Sequence, residues 1–396
     1  MVIQPKVRGF VCLTAHPEGC HQNVKEQIEH VKKDGLIENG PKNVLVIGAS
    51  TGYGLASRIT AAFGSNAATL GIFFEKPPTE KKTATAGWYN AVAFEQEADK
   101  AGLLNKSING DAFSDEIKEK TIALAREHFA PFDLVIYSVA APRRQDPKTG
   151  EVYKSTLKPI DQDYDGKTLD TDKEEIKPVH LEPATQEDIE GTIKVMGGED
   201  WEMWMQRLAD AHLLNEGCKT IAYTYIGTKL TWPIYWEGTI GKAKEDLDKT
   251  SARLNKMLQP LNGSSYVAVM KALVTQASSA IPVVPLYISI LYKVMKEKGT
   301  HEGCIEQINR LFRDRLYSKA APVDEEGRLR LDDLEMDKEV QQKVEQIWPE
   351  ISTENLHELT DFAGYKEEFL KLFGFGYDGV DYEAESDPLK NFKEEV

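Results

Sequence analysis

Cysteine is scarce. The 396 residues hold four thiols, at Cys12, Cys20, Cys218 and Cys304. That is too few to staple a chain of this length, which excludes a disulfide scaffold and predicts a reducing compartment, the cytoplasm. Long apolar runs are missing too. Lys6 and Arg8 are followed by no hydrophobic core of signal-peptide length. One stretch, Ala272 to Tyr292, carries no formal charge over 21 residues. Thr275, Gln276, Ser278, Ser279, Pro282 and Pro285 interrupt it, so it predicts a buried strand, turn and helix rather than a membrane span. Basic residues are outnumbered, 48 against 64 acids, for a net charge of −16. A general affinity for nucleic acid, which needs cations to displace phosphate counterions, is excluded on that balance. The deficit is local: residues 323–396 hold 22 acids and 8 bases, while residues 1–322 are nearly neutral. No complete G-x-x-x-x-G-K-[ST] loop occurs, which disfavours a kinase or ATPase.

Hydrophobic residues at 41% and charged residues at 28% are those of a folded globular chain. Strand patterns at Asn43–Ile47, Ala68–Phe74, Ser107–Asn109, Phe132–Val139, Thr220–Tyr225 and Tyr266–Met270 alternate with helical ones. The helical patterns include Asn23–Lys33, Tyr89–Ala101, Asp115–His128 and Asp200–Leu214. This alternation predicts an α/β fold with a Rossmann-like, doubly wound parallel sheet. Thr149–Ala184 is polar, rich in Pro and Asp, and reads as a surface excursion outside any sheet. Helical runs at Ile305–Leu316 and Val340–Trp348 precede an aromatic tail, Phe373–Tyr377. The expected organisation is one α/β body. Its dinucleotide-binding core with the substrate pocket lies at 41–290, and terminal elements at 1–40 and 291–396 pack on it.

Gly48, Gly52 and Gly54 fall between a predicted strand and a predicted helix. Glycines there let backbone N–H groups approach a pyrophosphate, and the helix N-terminus favours its charge. By itself the pattern fits either a dinucleotide cradle or a ligand-free glycine turn. Glu75, at the end of the second strand, suits the ribose hydroxyls of NADH and would repel the 2′-phosphate of NADP; an ordinary exposed glutamate is the alternative. Asp111-Ala112 and Ser138–Ala141 follow the third and fourth strands, where an adenine and a close-packed cofactor would lie. Tyr235 and Lys244, with eight residues between them, pair a phenol with an ammonium that would stabilise its phenolate and make it a better acid. In a chain with 15 tyrosines that spacing also arises by chance. Cys12, His16, Cys20 and His21 lack the paired spacing of a zinc site, so no metal is expected.

Together with these features, several longer segments carry a resemblance. They are GASTGYGLASRITAAFG at 48–64, GWYN at 87–90, GDAFSDEIK at 110–118, KVMGGEDW at 194–201, GTIGKAK at 238–244, LVTQASSAIPVVPLY at 273–287 and KVMKEKGTHEGCIEQI at 293–308. With the Tyr-x8-Lys arrangement, the chain resembles the FabV-type enoyl-acyl-carrier-protein reductases and the related trans-2-enoyl-CoA reductases over essentially its whole length. The resemblance implies NADH-dependent reduction of a trans-2-enoyl thioester. Tyr235 is then the proton donor, Lys244 holds the nicotinamide ribose, and Tyr225 contacts the thioester carbonyl. It implies NADH contacts at Gly48, Ala49, Ser50, Thr51, Gly52, Tyr53, Phe74, Glu75, Asp111, Ala112, Val139, Ala140, Leu273, Val274 and Thr275. It also implies that Pro282–Met295 helps to form the acyl pocket. Two departures stand out: Glu245 replaces a second lysine that some members carry, with Lys242 upstream instead, and Val139 replaces a common leucine. The expected substrate is an enoyl chain on acyl carrier protein, with a short CoA ester as the alternative and a non-catalytic NADH sensor as a remote third. Cationic docking candidates are Arg143-Arg144, Lys242 and the cluster Lys293, Lys296 and Lys298. A monomer is expected, because the terminal elements would cover surfaces that smaller dehydrogenases use for contacts between subunits.

Overall fold

Val44 and Val46 pack on one face of a strand and Leu45 and Ile47 on the other, all four fully buried, which requires a strand covered on both sides. The computed structural model describes residues 1–319 and 322–392. A short antiparallel hairpin, β1 (Val7–Arg8) with β2 (Val11–Cys12), leads into α1 (Pro17–Lys33). Three strand–helix units follow: β3 (Asn43–Ile47) and α2 (Gly52–Ser65), β4 (Ala68–Phe73) and α3 (Ala86–Lys100), β5 (Asn105–Asn109) and α4 (Asp115–His128). After β6 (Phe132–Tyr137) come two antiparallel hairpins, β7 (Arg143–Gln145) with β8 (Val152–Lys154) and β9 (Tyr164–Asp170) with β10 (Glu175–Leu181). Helices α5 (Gln186–Met196) and α6 (Glu199–Asp210) precede β11 (Leu214–Thr224), α7 (Thr239–Leu258) and β12 (Ser264–Val269). The C-terminal segment contains α8 (Val284–Lys298), α9 (Cys304–Arg310) running into a π-helical turn, β13 (Leu329–Arg330), α10 (Lys338–Glu350), α11 (Leu356–Leu359) and α12 (Phe362–Lys371).

Seven strands form one parallel sheet in the order β13-β12-β11-β6-β3-β4-β5. The chain builds outward from β3 to β5, returns to lay β6 beside β3, and then builds the other way. The order therefore reverses between β3 and β6, and a crevice opens beyond their C-terminal ends. Helices α1, α2, α3 and α9 cover one face, and α4, α6 and α7 the other. A third apolar cluster packs α8 against α10, α12 and Phe373 and Phe375 of the aromatic tail.

The doubly wound parallel sheet is the one the alternation predicts. Several boundaries differ for local reasons. Helix α1 starts at Pro17, six residues before the expected Asn23, because Pro17 fits the first helical turn and the His16 ring accepts from the Gly19 N–H. Helix α6 stops at Asp210, and Leu214 opens β11 rather than closing a helix. The excursion at Thr149–Ala184 does contain strands, β8, β9 and β10. They pair only in hairpins outside the main sheet, and their half-exposed residues lack the buried run of a central strand. The strand expected within Ala272–Tyr292 is absent: turns and a short 3-10 helix at Ser278–Ala280 lead into α8. Strand β13 was not foreseen, since two residues carry no periodicity. No helix among the described residues is long and apolar enough to cross a membrane.

One buried ion pair ties the layers behind the crevice. Lys118 of α4 and Asp200 of α6, 0% and 2% exposed, meet at 2.7 Å. The Lys118 ammonium also donates to the carbonyls of Ala112 and Phe113, and the Tyr137 hydroxyl to Asp200. Burial lowers the Lys118 pKa and raises that of Asp200. Removing the carboxylate alone strands a buried charge. Asp200→Ala is expected to lose about 3–5 kcal/mol in urea unfolding, whereas Glu202→Ala, which breaks an exposed pair with Arg253, stays within about 1 kcal/mol of the parent.

Candidate active site

The glycine turn follows β3 at the point of strand reversal. Gly48 has φ +92°, and a Cβ on it would lie 2.0 Å from the Ser138 carbonyl oxygen after β6. A Cβ on Gly54 would come within 1.8 Å of the Gly48 carbonyl oxygen, and Gly52 has φ +53°. These positions demand glycine for two reasons, backbone conformation and close packing of helix on strand. The N–H groups of Gly48 and Ala49 both donate to the Ile72 carbonyl. Thr51, the N-cap of α2, makes no side-chain capping bond, so the helix presents its first-turn N–H groups to the crevice. Oriented donors and the positive helix end together suit a diphosphate.

The other expected cofactor residues surround this turn. The Ser50 hydroxyl donates to Glu75 at 2.6 Å, and the Asn90 amide holds the Ser50 carbonyl. Although Gly48–Gly52 also spells Gly-x-Ser-x-Gly, this hydroxyl is buried against a carboxylate, and no described histidine bonds it, so it is no nucleophile elbow. Burial raises the Glu75 pKa against the opposing Ser50 bond. Glu75 is thus a half-buried, positioned carboxylate. Phe74 beside it is 76% exposed and offers a bare ring face at the strand end. Asp111 accepts from the Phe113 N–H, and Ala112 is pinned by Lys118 and by the Trp204 indole. Val139 and Ala140 lie just past β6, in the loop rather than the strand expected to run to Val139. Across the crevice, Leu273 and Val274 are buried, and Thr275 exchanges hydrogen bonds with Ser278. The Tyr53 hydroxyl donates to the Lys271 carbonyl at 3.0 Å and so joins this segment to the glycine turn.

Tyr225 follows β11 directly, and its ring meets that of Tyr235 edge-on, with centroids 5.1 Å apart. Tyr235 closes the 3-10 turn Trp232–Ile234, and its carbonyl accepts from Gly238 and Gly241 at the start of α7. Lys244 lies in the second turn of α7, 7% exposed. Burial lowers its pKa to about 8, with the Asp248 carboxylate opposing. The same desolvation pushes the Tyr235 phenol above its ordinary value. The expected lowering of that phenol by the ammonium does not dominate. Among the described residues no hydrogen bond joins the two, and burial decides the protonation state of each. Tyr235 is held as a neutral phenol.

Glu335 was missed by the sequence reading. It arrives from the turn after β13, fully buried, and accepts from Tyr225 at 3.1 Å, Tyr287 at 2.7 Å and the Ala272 N–H at 2.7 Å. A lone glutamate in an acidic tail carries no signal of that role. The cationic docking candidates, Arg143 apart, are engaged, and Arg143 is exposed on β7. Lys296 pairs with Asp361 and Glu368, Lys298 with Asp337 and Glu339, Lys293 with Glu297, Lys242 with Glu245, and buried Arg144 with Glu199. Acids of the C-terminal segment thus balance most of the lysine cluster. His16, read as no metal ligand, caps α1, and among the described residues no group of three potential ligands could hold a metal.

A glycine turn at the reversal of a parallel sheet, opposite an edge-on tyrosine pair, defines a doubly wound, dinucleotide-binding α/β protein. Residues 82–317 match the family profile described as the trans-2-enoyl-CoA reductase catalytic region. Residues 2–80 match that of the NAD(P)H binding domain of trans-2-enoyl-CoA reductase, and residues 323–385 one described as an enoyl reductase FAD binding domain. The chain belongs to the trans-2-enoyl-CoA reductase family. It is 62% identical over 388 residues to the enoyl-[acyl-carrier-protein] reductase [NADH] of Saccharophagus degradans, covering 98% of each chain. Its fold is similar to that of the Clostridium acetobutulicum trans-2-enoyl-CoA reductase in complex with NADH, with TM-score 0.96 and 46% identity over 100% of both chains. The Treponema denticola trans-2-enoyl-CoA reductase in complex with NAD gives TM-score 0.94 and 50% identity, again over 100% of both. Residues 323–385 do not fit a flavin dinucleotide: α10 and α12 turn their apolar faces onto α8, and no strand–glycine turn–helix unit occurs there.

Gly54→Ala forces a methyl group into the Gly48 carbonyl. It is expected to weaken NADH binding at least tenfold in fluorescence titration, whereas Gly52→Ala, with open space around its Cβ, costs only about 1 kcal/mol of stability for its left-handed backbone.

Proposed function

We propose that this chain uses NADH to reduce the trans-2 double bond of an enoyl thioester carried on acyl carrier protein. The observation that carries the reading is the edge-on pair of half-buried Tyr225 and buried Tyr235 across the crevice from the glycine turn. The names of the curated relatives support NADH and the carrier-bound substrate. Short enoyl-CoA esters are the second reading, supported by the names of the two solved structures described above.

When bound, NADH supplies the hydride that reaches C3 of the enoyl chain. The chain's own residues handle the negative charge that then grows on the thioester oxygen. Tyr225 and Tyr235 offer phenol donors in a dry site, where hydrogen bonds to an oxyanion are strong. Tyr235 supplies the proton to C2, directly or through solvent. Lys244 would donate to the nicotinamide ribose, and the first turn of α2 would hold the diphosphate. Glu75 would accept from the adenosine ribose hydroxyls, Phe74 and Asp111-Ala112 would flank the adenine, and Val139-Ala140 and Leu273–Thr275 would line the nicotinamide end. An intact tyrosine pair and Lys244 argue against a non-catalytic NADH sensor. The reading includes a cytoplasmic monomer, with all four cysteines as free thiols.

Tyr235→Phe is expected to lose at least tenfold in turnover, followed by NADH absorbance, with NADH affinity little changed; near-normal turnover removes Tyr235 from the mechanism. In the same assay, kcat/KM for carrier-bound and CoA-bound enoyl chains of equal length decides between the two substrates. NADH oxidation with neither substrate overturns the enzyme reading.

A further inference from the structure

Tyr225 carries one hydroxyl hydrogen, and two acceptors compete for it. One is the substrate oxygen of the reaction proposed above. The other is Glu335, whose Oε1 lies 3.1 Å from the Tyr225 hydroxyl. The remaining partners of Glu335 settle what each protonation state implies. Its Oε1 also lies 2.7 Å from the Tyr287 hydroxyl of α8, and its Oε2 accepts from the Ala272 N–H at 2.7 Å. As a carboxylate Glu335 is acceptor-only, so all three neighbours must donate to it. The Tyr225 hydrogen is then spent, and the phenol presents only lone pairs to a growing oxyanion. As a neutral carboxyl, Glu335 donates its own hydrogen from Oε1 to the Tyr225 oxygen. It still accepts from Tyr287 and Ala272, and every partner remains satisfied. The Tyr225 hydrogen is released toward the substrate.

We propose that Glu335 is a positioning residue that works as a neutral acid, donating to Tyr225 so that the phenol hydrogen points at the thioester oxygen. The inference rests on the reading of Tyr225 given above. The surroundings favour the neutral form. Glu335 is 0% exposed, and no cation pairs with it among the described residues. The Lys271 charge and the bonds from Tyr287 and Ala272 oppose burial, but the Lys271 ammonium forms no ion pair with Glu335: it donates to the Ala272 carbonyl and lies over the Tyr292 ring, 5.2 Å from its centroid. Asp332 on the same segment is paired with Arg330 and opposes ionisation of Glu335. The phenols of Tyr225 and Tyr287 and the carbonyl-bound Lys271 are the other titratable groups that face it. Burial raises the Glu335 pKa, in the direction the geometry requires. A carboxyl with a raised pKa is neutral below that pKa and ionises above it. Turnover therefore falls as pH rises through it.

The test compares kcat of the wild type, E335A and E335Q from pH 6 to pH 9, with NADH affinity measured alongside. An amide can donate to Tyr225 and cannot ionise. E335A is expected to lose at least tenfold in kcat, and E335Q to recover most of that loss. The ratio of E335Q to wild-type kcat should hold steady while wild-type Glu335 stays neutral and rise once pH passes its pKa; ionisation of Lys244 affects both enzymes and cancels in the ratio. A ratio that falls as pH rises, or E335Q as slow as a folded E335A, overturns the proposal. If E335A does not fold, E335L takes its place in that comparison. Tyr225→Phe separates the two readings. Normal turnover there removes Tyr225 from the mechanism, whereas a defective Tyr225→Phe with E335Q as slow as E335A removes only Glu335.

Discussion

Tyr225, Tyr235, Lys244, Lys271 and Glu335 are drawn out of water at one place, where β11, α7 and the C-terminal segment close over the crevice beyond β3 and β6. Desolvation opposes charge on each of them. It keeps the phenols protonated, lowers the two lysines and raises the glutamate. The phenols are therefore held protonated before any ligand arrives, while Lys244, with its pKa lowered only to about 8, stays mostly charged at neutral pH. In the proposed reaction these are the donors that a growing oxyanion would meet.

That dryness is built by layers remote from the chemistry. The third apolar cluster places α10 and α12 on α8, and so brings the turn after β13 under Tyr225. The acidic C-terminal segment has two roles in consequence. Its outer carboxylates pair with the α8 lysines, and the one fully buried glutamate among its described residues enters the site. The Lys118–Asp200 pair acts similarly on the opposite side, pinning the Ala112 and Phe113 carbonyls beneath the expected adenine position.

The parallel sheet and the glycine turn were legible because their signals are local and repeated. Val44–Ile47 is buried on both faces and says so in four consecutive residues, and Gly48, Gly52 and Gly54 mark a turn that a Cβ would block. The hairpins of residues 143–181 were not legible, since half-exposed strands have no alternation to read. Nor was the absence of a strand after Lys271, where an uncharged run fits strand and buried turn equally well.

By itself the sequence determined the fold class, the glycine turn after β3 and the candidates Tyr235 and Lys244, because each is written in residues close together in the chain. Tertiary structure decided the state of those groups and who their neighbours are. Glu335 reaches Tyr225 from 110 positions away, and the balance between burial and a nearby charge depends on how much water is excluded. Neither distance through space nor exclusion of solvent is encoded in any short run of residues; both arise only when separate segments pack together.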